Sequence, residues 1–280
     1  MGLVGSTLGG GYGRLMGLYG YGIDNMLSAN LITAAGETMT VDAGNEELWW
    51  ALRGAGPNFG IVTSITMKTY PVPRERNGAW LGTLVFTEDK IEALVQAIDE
   101  LEMKPQMAVF MYFVTTGPPD FIPSVIAFPF YAGIEEEGRA AFALILALGP
   151  VADETAWTSY DKVNSGSAPF CVKRGRKPSY GAGLPKIDAL SFRQVWDLFV
   201  KWLEDAGTGA SAVLFERYDL SKAKEIGDGS SSYPWRSTFK YIAVAIPWYD
   251  NAFLDEKAEA FGSAVRDIWR SDENEGIDAT

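Results

Sequence analysis

Histidine is absent from the 280 residues, and the only cysteine is Cys171. Without histidine there is no Ser-His-Asp or Cys-His catalysis, no His-ligated zinc or iron, and no imidazole proton shuttle. A lone cysteine excludes an internal disulfide and a multi-cysteine metal centre, so no metal site is expected. Positive charge is also scarce. The 24 Lys and Arg stand against 36 Asp and Glu, a net charge of −12. A chain this acidic repels phosphate backbones and anionic lipid, which argues against nucleic-acid and membrane partners. Long hydrophobic runs are missing too: Ala140–Leu148 stops at Gly149-Pro150, well short of the roughly 20 residues that cross a bilayer. The N-terminus does not have the basic start and unbroken apolar stretch of a signal peptide.

Apolar residues are plentiful, at 47%, and aromatics reach 13%. That supplies a core for one large domain or two ordinary ones. Chemistry must rest on carboxylates, Tyr, Lys, Arg or a bound organic cofactor.

Glycines crowd the first 22 residues and read as the inside of a domain, a buried glycine-rich element. Leu27–Thr33 and Thr38–Asp42 flank Ala35-Gly36-Glu37 and predict a β-hairpin. Asn45–Arg53 predicts a short helix with Glu46 and Glu47 in its first turn. Phe59–Tyr70 alternates like a strand. Pro71, Pro73 and Arg74-Glu75-Arg76 mark a boundary, giving domains of 1–72 and 73–280. Beyond it, strands are expected at Trp80–Phe86, Gln106–Thr115, Ser124–Tyr131, Ala212–Tyr218 and Phe239–Trp248. Helices are expected after a Thr87 cap, at Glu135–Leu148, at Ser191–Ala206 and at Asp255–Trp269. This predicts an α+β fold: an antiparallel sheet backed by helices on one face, its other face free to build an aromatic pocket.

Leu8-Gly9-Gly10-Gly11-Tyr12-Gly13-Arg14 is the strongest local signal. Consecutive glycines let the backbone approach a flat ring or a pyrophosphate, or pack a tight turn against a neighbour. A Rossmann fingerprint fails at Arg14 or at Met16, and no Gly-Lys pair exists for a P-loop. Arg53-Gly54-Ala55-Gly56-Pro57-Asn58-Phe59-Gly60-Ile61-Val62 is a second glycine loop, read either as a connector or as backbone groups offered to an adenine or ribose.

These segments occur in one order with Gly20-Tyr21-Gly22-Ile23-Asp24-Asn25, the hairpin and Glu47-Leu48-Trp49-Trp50 between them. In that order the chain resembles the berberine-bridge-enzyme-like FAD-linked oxidoreductases of the vanillyl-alcohol oxidase superfamily, especially the fungal ones of secondary metabolism. The likeness is close over residues 1 to about 72 and looser to about 270. It implies a partial FAD-binding domain, its second half, followed by a substrate domain. It implies FAD along Gly9, Gly10, Gly11, Tyr12 and Gly13, with Asn58, Gly60, Ile61 and Val62 on the adenine side. It implies hydride transfer from a small secondary-metabolite-type substrate to the flavin, and O2 as acceptor. Ser6 stands where many members have the histidine that binds FAD covalently, so FAD would be held non-covalently. The family's first pyrophosphate loop and its C-terminal Asn-Tyr segment have no counterpart in the sequence. Binding is therefore expected to be weak, with self-association through exposed Leu3, Val4 and Leu8.

Glu216 and Tyr218 alternate with Phe215 and Arg217, so both point to one face of a strand. The resemblance implies that a Glu or Tyr there acts as base; a surface Glu paired with Arg is the other reading. Tyr112 either orients a substrate or packs in the core. Arg236, after Tyr233-Pro234-Trp235, echoes a family element with a structural role. Cys171, beside Lys173 and Arg174, is either a lowered-pKa thiol or packing. The Trp196/Phe199/Trp202 stripe is core. The alternative function is a non-redox one on the same pocket: an isomerase or cyclase, a binding protein or an inert fragment.

Overall fold

The computed structural model describes residues 2–166 and 172–271. In chain order the elements are α1 (Leu3–Leu8), α2 (Met16–Tyr19), β1 (Met26–Ile32), β2 (Thr38–Val41), α3 (Glu46–Ala55) and β3 (Ile61–Met67). There follow β4 (Gly78–Leu81), β5 (Leu84–Phe86), α4 (Ile91–Glu100), β6 (Met107–Thr115), β7 (Pro123–Tyr131), α5 (Glu135–Ala141) and α6 (Ala143–Leu146). The rest are β8 (Ala152–Asp153), β9 (Ala156–Ser159), β10 (Tyr180–Leu184), α7 (Ala189–Trp202), β11 (Ala212–Tyr218), α8 (Ser221–Glu225), β12 (Tyr241–Ile246) and α9 (Asp255–Trp269). They form two compact units. The first holds the residues up to Glu75, with Lys104–Met107 and Asp219–Thr238; the second holds Arg76–Met103, Ala108–Tyr218 and the described residues from Phe239 on.

In the first unit an antiparallel sheet runs β2-β1-β3. The expected hairpin is there, closed by Thr33 N–H to the Glu37 carbonyl at 2.9 Å. Period-two alternation buries Ala29, Leu31 and Val41. On the solvent face Asn30 bonds Ser64 and Thr40, each at 2.8 Å. The expected glycine-rich start instead opens with α1. Its Leu8 is buried, against the expectation that it is exposed, because Gly56 leaves room for its side chain. Leu3 does stay in solvent.

In the second unit the sheet runs β10-β12-β11-β6-β7-β4-β9, with β5 on β7 and β8 on β5. Its registered pairs are antiparallel. Helices line one face. Phe192 and Trp196 of α7 meet Phe215 and Phe113 edge-on, with ring centroids 4.9 and 5.1 Å apart. Such buried aromatic pairs add roughly 0.5–1.5 kcal/mol each beyond their area. Trp196, Phe199 and Trp202 are core, as expected. Arg217 is buried on this face and donates to the carbonyls of Ile98 and Asp99 at the end of α4, where a cation offsets the helix dipole.

Several expected elements are corrected. The strand Trp80–Phe86 is two strands, broken at Gly82, whose φ of +148° no larger residue adopts easily. The helix Glu135–Leu148 breaks at Phe142, whose buried ring packs on Trp80. Thr87 makes no side-chain cap; a 3-10 turn, Glu88–Lys90, precedes α4 instead. The helix read as Ser191–Ala206 starts at Ala189, capped by Asp188, and ends at Trp202. Among the described residues no helix is long and apolar enough to cross a membrane.

Candidate functional site

The first glycine loop follows α1. Gly10 and Gly11 have φ of +124° and +80°, a conformation that favours glycine. Two later amides fix the turn: Gly22 N–H donates to the Gly11 carbonyl at 2.8 Å, and Ile23 N–H to that of Gly10 at 3.2 Å. Both glycines are also forced by packing. A Cβ on Gly11 would lie 2.7 Å from Gly22 Cα, and one on Gly10 would lie 2.9 Å from the Tyr233 ring. A Cβ on Gly13 would meet nothing within 4 Å. The amides of Gly11 and Gly13 have no partner among the described residues. Gly11, Gly13, Gly20 and Gly22, with Tyr19 and Tyr70, line a shallow hollow. The loop is thus a packed turn at Gly10 and Gly11 and open backbone at Gly13.

Tyr12 projects from this loop into a cluster that spacing alone did not reveal. Its hydroxyl shares a hydrogen bond with Tyr233 at 2.6 Å and a longer one with Tyr21 at 3.4 Å. The three rings meet at centroid distances of 5.0, 6.1 and 5.1 Å. Burial pushes all three phenols above the ordinary tyrosine range, so each stays protonated. Beneath them Arg236 and Asp24 form a two-point ion pair, and Arg236 lies 5.2 Å from the Tyr21 ring centre. Arg236 therefore has the structural role expected of it. The local signals for this cluster were Gly20-Tyr21-Gly22-Ile23-Asp24 and Tyr233-Pro234-Trp235-Arg236, but nothing in their spacing joins them.

The second glycine loop ends α3, whose helical geometry is lost at Arg53 and Gly54. Here the chain receives residues 229–232. Arg53 donates to the Ser230 carbonyl at 2.6 Å, Trp50 Nε1 to that of Gly229 at 3.0 Å, and Ala55 N–H to Ser232 Oγ at 3.0 Å. Asn58 Nδ2 turns back to the Ala55 carbonyl at 3.1 Å. Gly60, at φ +142°, fits because a Cβ would lie 2.3 Å from the Ile32 carbonyl oxygen. Ile61 and Val62 pair with Ile32 and Leu31 of β1. As β3 ends the three-stranded sheet, alternate main-chain groups on its outer edge face away from the ladder.

Glu216, Tyr218 and Tyr112 lie in the second unit. Register places Glu216 opposite Phe110 and Tyr112 opposite Leu214, on the sheet face away from the helices. Glu216 and Tyr218 do share that face: the Tyr218 hydroxyl donates to Glu216 Oε2 at 2.7 Å. Glu216 is half-buried, and Arg217 points to the opposite face. Tyr112 is half-buried and stacks on Phe110 at 6.2 Å, and Phe110 meets Tyr218 edge-on at 5.5 Å. Phe128 joins them at 6.3 Å. The face carries a carboxylate and two phenols among aromatic and aliphatic side chains. Among the described residues no group of acids is placed to hold a metal. Cys171 lies outside the described residues.

No protein-family profile matches the chain. Curated relatives do. It is 31% identical over 279 residues to the FAD-linked oxidoreductase OXR1 of Pyricularia oryzae, covering 95% of this chain and 54% of that protein. It is 30% identical over 292 residues to the FAD-linked oxidoreductase anuG of Penicillium roqueforti, covering 99% and 56%. Among solved structures it superposes on berberine bridge enzyme from Eschscholzia californica with a TM-score of 0.76 at 17% identity, over 94% of this chain and 54% of that one. It superposes on 6-hydroxy-D-nicotine oxidase from Arthrobacter nicotinovorans with a TM-score of 0.75 at 22% identity, over 96% and 59%. The fold is therefore that of the berberine bridge enzyme-like proteins. The chain is a relative of the fungal FAD-linked oxidoreductases, and it spans about half the length of the curated relatives it matches.

Proposed function

We propose that this chain carries the second half of an FAD-binding domain and the substrate domain of an FAD-linked oxidoreductase acting on a small secondary-metabolite-type molecule. The observation that carries this reading is the likeness to curated FAD-linked oxidoreductases along nearly the whole chain. The first unit fits the cofactor in part. Gly11 and Gly13 offer amides without partners among the described residues beside a shallow hollow, the donor type a diphosphate requires to leave water. Gly9 and Gly13 leave space for close approach, and Gly10 and Tyr12 shape the turn. Asn58, Gly60, Ile61 and Val62 would serve the adenine side through main-chain groups. Ser6 lies within α1, its hydroxyl bonded to the Leu3 carbonyl at 3.1 Å, and offers no covalent link. FAD, when bound, supplies the hydride acceptor, and O2 takes the electrons onward.

The substrate side rests on the face of the second sheet that carries Glu216, Tyr218 and Tyr112. Glu216 takes the proton of a substrate hydroxyl or amine as the adjacent C–H leaves with its electron pair. Tyr218 fixes the orientation of that carboxylate, and the half-buried Tyr112 offers ring surface to a substrate. The free outer edge of β3, with Ile61 68% exposed, supports self-association of the chain. The test is turnover with the flavin present in Glu216→Gln, Tyr218→Phe and the parent chain. Loss of turnover in Glu216→Gln with substrate binding retained supports the reading. Turnover by a flavin-free protein points to a non-redox isomerase or cyclase instead.

A further inference from the structure

We propose that Tyr233 is a positioning residue for the glycine loop, setting the conformation in which residues 9–13 meet their ligand. This rests on the reading of that loop as a cofactor cradle. Four observations point to Tyr233. Its ring occupies the space that a side chain on Gly10 would fill, with Cε2 2.9 Å from that position. Its hydroxyl holds Tyr12 at 2.6 Å across 221 residues of sequence. Its own backbone is held: a Cβ on Gly54 would lie 2.4 Å from Tyr233 N, and the preceding Ser232 bonds the Trp50 carbonyl at 3.1 Å through N–H and that of Ala51 at 2.8 Å through Oγ. Three residues on, Arg236 is tied to Asp24, next to the Gly22 and Ile23 amides that close the glycine turn.

The loop is therefore braced from two sides. Gly22 and Ile23 hold its carbonyls, and Tyr233 holds its one large side chain and covers Gly10. A tyrosine at 233 does both jobs; phenylalanine keeps the ring and removes the 2.6 Å bond to Tyr12. Loop order and global stability separate in this variant, because the ring packing and the Asp24–Arg236 pair remain.

Hydrogen exchange read by mass spectrometry on the full chain tests the proposal without cofactor. Tyr233→Phe and Tyr12→Phe are each expected to speed exchange at Gly22 and Ile23, whose amides close on the loop carbonyls of Gly11 and Gly10, about three- to tenfold, the range of one lost hydrogen bond, while β1 exchanges as in the parent. The double variant is expected to equal Tyr12→Phe, which already removes the bond that Tyr233→Phe removes, together with the longer one to Tyr21. Unchanged exchange at Gly22 and Ile23 in both variants overturns the proposal. FAD titration of the same proteins then addresses the ligand. Weaker FAD binding in Tyr233→Phe, by a similar factor, supports the positioning role. Faster exchange with FAD affinity equal to the parent's overturns it. Faster exchange in the variants together with a parent chain that binds no FAD leaves the brace standing and removes the cofactor reading on which its ligand depends.

Discussion

Arg236 and Asp24 form an ion pair at 2.5 and 2.9 Å in which the side chains are 0% and 2% exposed. Ser231 Oγ accepts a further bond from the same guanidinium at 3.1 Å. The pair links the turn after the glycine loop to a segment more than 200 residues later. Breaking one side strands a buried charge, which costs about 3–5 kcal/mol. Arg236→Gln and Asp24→Asn are each expected to lower the urea midpoint by that measure. Replacing both with apolar residues of similar size is expected to restore much of the loss.

Gly11 and Gly13 separate packing from ligand. Gly11→Ala puts a methyl 2.7 Å from Gly22 backbone at a positive φ, a strain of about 1–3 kcal/mol. Gly13→Ala enters open space, so thermal unfolding is expected to match the parent. A Gly13→Ala midpoint several degrees lower would contradict the assigned geometry.

Tyrosines give the pH dependence. Burial raises the folded pKa of Tyr12, Tyr21 and Tyr233 above the unfolded value near 10. The neutral phenol is favoured in the fold, so this stabilisation is full below pH of about 10 and is lost as pH rises beyond it. Titration of tyrosinate absorbance in the native chain is expected to leave these groups un-ionised until the protein unfolds. A native chain in which all tyrosines ionise near pH 10 would contradict the burial of the cluster.

The open edge of β3 predicts concentration-dependent association. Ile61→Lys places charge on that edge, a change that blocks strand addition. Light scattering is expected to show smaller species for Ile61→Lys than for the parent at equal concentration.

Much of the fold was legible because alternation and helical periodicity are local. β11 reads directly from Ala212–Tyr218, and the shared face of Glu216 and Tyr218 follows from period two. What escaped was decided by distant neighbours. Gly82 splits β4 from β5 where a Cβ would lie 2.4 Å from the Glu154 carbonyl oxygen. Phe142 interrupts an apolar helix to pack on Trp80. The short β8, β9 and β10 carry too few residues for a pattern. The site was legible as glycines and a Glu-Tyr strand, while the Tyr12–Tyr233 bond was not, since no spacing rule joins residues 221 apart.

Glu216→Gln keeps the shape of the carboxylate and removes its basicity. With flavin supplied, kcat is expected to fall about a hundredfold or more with little change in KM. Tyr218→Phe is expected to have a smaller effect, since it loosens the base without removing it.

The most direct measurement is titration of the purified chain with FAD, followed by flavin fluorescence, with Gly13→Ala beside the parent. The expected result is weak, saturable and non-covalent binding, all flavin released on denaturation, and weaker binding still in Gly13→Ala despite an unchanged unfolding midpoint. A parent chain that leaves flavin fluorescence untouched, or a Gly13→Ala chain that binds FAD as the parent does, would contradict the assignment of the glycine loop to the cofactor.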